Sequence, residues 1–380
     1  MQSVFSAELL FHCASRTQVL VSMSQPSSTS HPVQLIPGLE IPCEQGPPVL
    51  LLPERKGTFS ETIEPVASQS KLVRFRELRN RVAARGLGLL PARFGARIAN
   101  GIGILLFHRV VAPPPGVDPP TWNVTPERFR AHLEGLLALG YQAWPLQRVL
   151  AYHRAGRKIP PRTFAVTFDD GYENVYSNAF PVLRELGIPA TVFLATAYLD
   201  SSSPFPFDDW SAKGSRHVPC ETWRPLRTAQ CEEMLASGLI ELGTHSHIHA
   251  DFRGRPDELR RDLCISLDVL STRFGVTEAA FAAPFGFGCR KYDGPELFEA
   301  AEQAGVTCAL TTDSELVRPG DDPFNWGRFA AWETDSARSL AAKLNGWYSL
   351  ARNAWRWLRR GRVYRDRRTC DMEFVSPSIR

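Results

Sequence analysis

From residue 101 onward the chain alternates between two apolar patterns. Short, mostly apolar runs occupy residues 102–107, 164–168, 190–195, 239–243, 279–283 and 307–311. Each is short and flanked by turn-forming or polar residues, which predicts strands buried on both faces. Between them, apolar residues recur three and four apart over 125–137, 174–186, 226–237, 256–274 and 295–304. These stretches predict amphipathic helices. Thr125 followed by Pro126 and Glu127 is a helix start, and Gly187 with Pro189 is a stop. Strands and helices that alternate through short Gly/Pro joints predict a parallel α/β architecture. Folds of that kind gather their chemistry at the C-terminal ends of the strands.

Outside this region the pattern changes. Residues 25–70 are rich in Pro, Ser, Thr and Glu without sustained periodicity, which predicts a disordered extension over 1–70. Over 71–100, Lys71, Arg74, Arg76, Arg79, Arg81, Arg85, Arg93 and Arg97 are interleaved with Leu, Val, Phe and Ile. That predicts basic amphipathic helices lying on the protein's own surface or on an anionic membrane. The folded domain is expected over 101–335, and a basic, Trp-rich helical tail over 336–380. In the tail, Leu340, Leu344, Trp347, Tyr348, Ala351, Trp355 and Leu358 form an apolar stripe, with Arg352, Arg356, Arg359, Arg360 and Arg362 around its end. Such a helix either covers the domain or lies in a membrane interface.

Composition narrows the partners. The 380 residues suffice for one large domain or two ordinary ones. A net charge of +4 is too slight to predict a nucleic-acid partner. The eight cysteines show no Cys-x-x-Cys spacing, which suits the reduced thiols of a cytoplasmic protein. No apolar run approaches the roughly 18 residues of a membrane span, and no basic start followed by a long apolar core predicts a signal peptide. The expected location is the cytoplasm, with peripheral membrane contact through the basic helices.

Candidate chemistry begins where the run 164–168 stops at Asp169, Asp170 and Gly171. Successive strand side chains point to opposite sides, so the two carboxylates divide their work unless the strand has ended. One would bind a cation while the other handles protons; the plainer reading is a strand-end turn. The second cluster, His245-Ser246-His247-Ile248-His249, follows the run 239–243. A helical turn or tight loop would aim His245 and His249 at one point. Two imidazoles joined by a carboxylate suit zinc or another first-row divalent metal, and three ligands leave a position open for catalysis. The third piece, Phe281 to Gly286, holds Pro284 and a glycine that would stiffen a loop and aim a backbone N–H at a developing oxyanion.

Taken together, Thr167-Phe168-Asp169-Asp170-Gly171, His245-Ser246-x-x-His249 and Ala282-Ala283-Pro284-Phe285-Gly286 resemble the NodB-type polysaccharide deacetylases, carbohydrate esterase family 4. The resemblance covers residues 101–328. Phe107-His108-Arg109-Val110 and Gly140-Tyr141 are similar to the bacterial exopolysaccharide-locus branch of that family. The resemblance implies a deformed (β/α) barrel and metal-dependent removal of N-acetyl or O-acetyl groups from a bacterial polysaccharide or its lipid-linked precursor. By position it implies Asp169 as general base, and Asp170, His245 and His249 as ligands of one divalent metal, zinc before cobalt or nickel. It also implies the backbone N–H of Phe285 as oxyanion donor. Tyr172, Pro284 and Trp210 are the expected substrate contacts, with Trp223 a further candidate to line an open groove for a sugar chain.

Two positions depart from the family pattern. The arginine that opens the third motif is Ala282 here, and no histidine follows His249 to act as general acid. His108 is the expected substitute, ahead of His247 or a proton returned through Asp169. An ester needs less help from an acid than an amide, so O-acetyl substrates stay open. The departures also leave two other functions in view: a glycan-binding module that keeps the metal, and a metal-dependent amidase on a small non-sugar amide.

Overall fold

The computed structural model describes residues 101–117, 119–208, 218–219, 222–286 and 295–347. The expected extension over 1–70, the basic segment over 71–100, Trp210 and the tail beyond residue 347 lie outside the described residues. Of the two units into which the chain divides, the described residues all fall in Ile63–Arg380.

The first apolar run folds as β1, Gly103–Phe107, buried at every position. β2 (Arg109–Val110) pairs in parallel with β3 (Asn123–Val124) in a small separate ribbon. Helix α1 is Pro126–Ala138; its first turn is capped by Thr125, whose hydroxyl accepts the N–H of Arg128 at 3.2 Å. β4 (Gln142–Ala143) and α2 (Leu146–Arg154) follow. The central run is β5, Thr163–Phe168. A wide helical turn at Val175–Ala179 leads into α3, Phe180–Leu186, which Gly187 ends in the left-handed conformation. Then come β6 (Ala190–Leu194), α4 (Thr228–Ala236), β7 (Ile240–Thr244), α5 (Pro256–Phe274), β8 (Phe281–Ala282), α6 (Glu296–Ala304), β9 (Ala309–Leu310), β10 (Phe329–Ala330) and α7 (Ala337–Leu344).

The main sheet is parallel throughout and runs β10-β1-β5-β6-β7-β8-β9, with β4 also paired to β5. Its two ends approach one another. Leu310 of β9 forms a parallel bridge to Trp326, three residues before β10, and the N–H of Thr311 donates to the Trp326 carbonyl at 2.8 Å. The result is the expected deformed barrel. Its aromatic core includes Phe107, which packs edge-on to Phe129 and stacks on Phe168 at centroid distances of 5.1 and 5.6 Å. Fully burying one such side chain contributes about 1.5–3 kcal/mol.

Every strand and helix expected from the apolar pattern between residues 101 and 311 is present. β8 and β9 keep only two paired residues each. β2, β3, β4, α2 and β10 leave no mark in that pattern, because two-residue strands are too short to show a period and α2 mixes its apolar positions with Arg, His and Tyr. Leu340, Ala341 and Leu344 of α7 join the main core, and Leu344 lies against Gly103 of β1. α7, at the start of the expected tail, thus packs against the sheet core.

Candidate active site

β5 delivers the two aspartates to one end of the barrel. The N–H of Asp169 still bonds to the Phe107 carbonyl at 3.0 Å, so this residue remains in the ladder. Asp170 and Gly171 then turn left-handed, with φ of 71° and 84°. The strand ends between the two carboxylates, which is why they face different surroundings. Only glycine suits position 171: a Cβ there would stand 2.8 Å from Leu194 Cδ2.

Asp170 meets the two expected histidines. Its Oδ1 lies 3.3 Å from Nε2 of both His245 and His249, and one donor atom from each residue falls within 4.8 Å of the others. Nδ1 of His245 is 2.8 Å from the Ala282 carbonyl. A carbonyl only accepts, so Nδ1 carries a hydrogen, and in the neutral ring Nε2 keeps the lone pair that a metal ligand needs. The connecting loop is not helical. Ser246 and His249 adopt φ of 66° and 53°, and the Asp262 carboxylate on α5 accepts the N–H groups of His247 and Ile248 at 2.5 and 3.1 Å. Burial raises the Asp170 carboxyl, but its bonds to His245 and His249 outweigh this and hold it well below the usual carboxylate range. Burial lowers His249, whereas Asp169 and Asp170 together lift His245 above the usual histidine value. A buried anionic carboxylate and two converging imidazole nitrogens, one with its tautomer fixed, fit a divalent cation.

Asp169 stands apart from this set. Arg328, one residue before β10, donates to both of its oxygens, Nη1 to Oδ1 at 2.6 Å and Nη2 to Oδ2 at 2.7 Å. The guanidinium also donates from Nε to the Thr311 carbonyl at 3.1 Å and lies 5.7 Å from the Phe193 ring, inside the barrel. Burial pushes the Asp169 carboxyl up, but the charge of Arg328 and its hydrogen bonds prevail and keep it below the ordinary value. Arg328 thus gives Asp169 the cationic partner that Ala282 cannot supply. The sequence carries a hint of this, since an aspartate acting as base needs an orienting cation. The cation comes from a stretch whose strand is only two residues long.

His108 follows β1 and places Nε2 4.0 Å from Oδ2 of Asp169. Its Nδ1 is buried with no hydrogen-bond partner among the described residues. Burial lowers its pKa against the opposing pull of Asp170 and Asp169. His247, the other histidine considered as acid, turns away and pairs Nδ1 with the Thr196 hydroxyl at 2.9 Å.

The expected substrate contacts Tyr172 and Pro284 are both buried. The Tyr172 ring is buried beneath the Arg109 guanidinium, 4.2 Å away; its hydroxyl accepts from Arg109 at 2.7 Å and donates to Asp208 at 3.1 Å. That side chain is buried, with its ring also edge-on to Phe205 at 4.9 Å. Pro284 is buried as well and shapes the turn. Trp223 packs with Val111, Val117 and Val218, and its Nε1 donates to the Val218 carbonyl at 3.2 Å. The apolar surface near the site comes instead from Phe285, 54% exposed and edge-on to His249 at 4.9 Å, and from Ile248, 48% exposed. Phe207 also stacks on the His249 imidazole, at 3.7 Å.

The chain is similar to known polysaccharide deacetylases. A profile of the polysaccharide deacetylase family matches residues 156–309. That span holds Asp169, Asp170, His245, His249 and Phe285, while His108 and Arg328 fall on either side of it. The chain is 25% identical over 234 residues to the poly-beta-1,6-N-acetyl-D-glucosamine N-deacetylase of Staphylococcus epidermidis, covering 59% of this chain and 73% of that protein. Among solved structures, IcaB from Ammonifex degensii superposes with a TM-score of 0.53 at 26% identity, over 65% of this chain and 98% of that one. The Streptococcus pyogenes deacetylase PplD shares the fold, with a TM-score of 0.52 at 19% identity over 64% of this chain and 98% of that one.

Proposed function

We propose that this chain, which carries a polysaccharide deacetylase domain, hydrolyses N-acetyl groups of a poly-N-acetylglucosamine exopolysaccharide. The observation that carries the reading is the division between the two aspartates. Asp170 joins His245 and His249, whereas Asp169 is gripped by Arg328 outside that set with His108 beside it. The similarity to the Staphylococcus epidermidis enzyme supports the substrate class, and supports the finished polymer over a lipid-linked precursor.

Asp170, His245 and His249 would hold a divalent cation, zinc first. When bound, it would polarise the acetyl carbonyl and acidify the attacking water. Asp169, kept ionised by Arg328, takes the proton of that water as its oxygen adds to the carbonyl carbon. The backbone N–H of Phe285 donates to the developing oxyanion, an interaction whose loss typically costs about 3 kcal/mol of barrier. Asp169 passes the water's proton to Nε2 of His108, 4.0 Å away, and the imidazolium so formed delivers it to the leaving nitrogen as the C–N bond breaks. Acetate and a free amine leave.

Arg328 and His108 supply the two functions whose apparent absence favoured a glycan-binding module. The exposed Phe285 and Ile248 beside the site suit the apolar faces of a sugar chain better than a closed pocket for a small amide would. The test is acetate release from β-1,6-linked N-acetylglucosamine oligomers with added zinc or cobalt, alongside an acetylated xylan. Metal-dependent acetate from the amide substrate, abolished in Asp169→Asn and His245→Ala, is expected. A folded, metal-loaded protein that releases none would refute the reading.

A further inference from the structure

We propose that Trp122 is a positioning residue for the general acid, setting where His108 stands relative to Asp169. The inference rests on the reading of His108 given above.

The geometry starts in the small ribbon. β2 and β3 run parallel with Arg109 opposite Asn123 and Val110 opposite Val124, and the N–H of Arg109 donates to the Trp122 carbonyl at 3.2 Å. Carried back one residue, this register places His108 beside Trp122, and cross-strand neighbours interact directly. Their rings stack at a centroid distance of 4.8 Å and an interplanar angle of 28°. Trp122 in turn stacks on Trp332 at 4.7 Å and 29°. Trp122 is therefore in stacked contact with both His108 and Trp332.

Both ends of this ladder are fixed. The N–H of Trp332 donates to Asp335 at 2.9 Å, and that carboxylate is held by Lys343 at 2.5 Å and the Ser339 hydroxyl at 2.7 Å, both on α7. The ribbon is pinned by Asn123, whose amide donates to the Val111 carbonyl at 2.9 Å, and by Asn174, which accepts the N–H of Val110 at 2.8 Å. Trp122 itself adopts φ of 57°, a left-handed conformation that a bulky residue keeps only where its surroundings hold it there.

His108 needs such a clamp. Its Nδ1 has no hydrogen-bond partner among the described residues, so no polar contact at that nitrogen fixes the ring plane. Stacking does this instead, leaving Nε2 directed at Asp169. Trp122 is already engaged by His108 and Trp332, which disfavours it as a sugar platform.

The experiment compares wild type with Trp122→Ala, Trp122→Phe, His108→Ala and the Trp122→Ala/His108→Ala double variant of the full chain. Each is assayed on a β-1,6-linked N-acetylglucosamine oligomer and on para-nitrophenyl acetate, whose leaving group needs no acid. Acid–base catalysis contributes roughly 10²–10⁴-fold, so misplacing the acid should lower the amide-to-ester ratio of kcat by about tenfold or more. That fall is expected in Trp122→Ala with little change in KM, most of it is restored in Trp122→Phe, and the double variant is no worse than His108→Ala. The ester reaction reports on folding. Equal losses on both substrates, a change confined to KM, or additive effects in the double variant would each overturn the clamp and leave the proposed function standing. A wild type inactive on the amide, or a ratio unmoved in His108→Ala, would overturn both together.

Discussion

Arg328 grips both oxygens of Asp169, at 2.6 and 2.7 Å, across 159 residues of sequence. Both side chains are almost wholly buried. The pair fixes the direction of the carboxylate and keeps it ionised, so the candidate base depends on a residue at the far end of the domain.

Replacing Arg328 with Ala should therefore do two things. It leaves an uncompensated carboxylate in the interior, where breaking a buried ion pair costs about 3–5 kcal/mol. It also lets burial raise the Asp169 pKa. Because the folded value in wild type is depressed, the pair's contribution to stability is present above the ordinary carboxylate pKa and is lost as pH falls below it. Chemical denaturation at neutral and acid pH should show a deficit for Arg328→Ala that is largest at neutral pH. Equal deficits at both would refute the linkage.

The metal loop gives a second prediction. Asp262 holds the N–H groups of His247 and Ile248 without touching the donor set itself. Supporting residues of this kind typically alter metal affinity by about 10–100-fold. Zinc titration of Asp262→Ala should show weakened binding at one site, whereas His245→Ala should abolish that site. Chelation of wild type should remove acetate release, and added zinc should restore it. Unchanged zinc affinity in Asp262→Ala would show that the loop holds its shape by other means.

His132 of α1 supplies a pH prediction remote from the site. Its Nε2 lies 2.9 Å from the Asp335 carbonyl, and burial lowers its pKa below the ordinary 6.5. The unfolded chain therefore takes up a proton first as pH falls. Stability from this group is complete above 6.5 and drains away below it until the folded value is reached. The Tm should fall between about pH 7.5 and about pH 5.5, and less steeply in His132→Gln, which cannot titrate there. Parallel slopes for the two proteins would assign the effect to other groups.

Gly171→Ala tests the turn after the aspartates. Its positive φ and the closeness of Leu194 both oppose a side chain. A residue held in such a conformation costs on the order of 1–3 kcal/mol. A lower Tm with reduced zinc binding is expected, because Asp170 is the preceding residue. An alanine variant with wild-type Tm would show that the backbone relaxes freely.

The sequence by itself determined the alternation of strands and helices, the parallel sheet and the residues that converge from β5, β7 and the loop after β8. These features are local. Apolar period, turn residues and motif spacing each act within a few residues, so Asp169, Asp170, His245 and His249 are legible in the order of amino acids alone. Tertiary structure decided the rest, because it depends on contacts between distant segments. Arg328 precedes a strand of two residues and shows its role only when the barrel brings β10 beside β1. His108 gains a clamp only when β2 pairs with β3 and sets Trp122 beside it. Tyr172 reads as a substrate contact because it follows the motif directly. Packing against Arg109 and Asp208 turns its ring inward, and neither partner is a neighbour of Tyr172 along the chain.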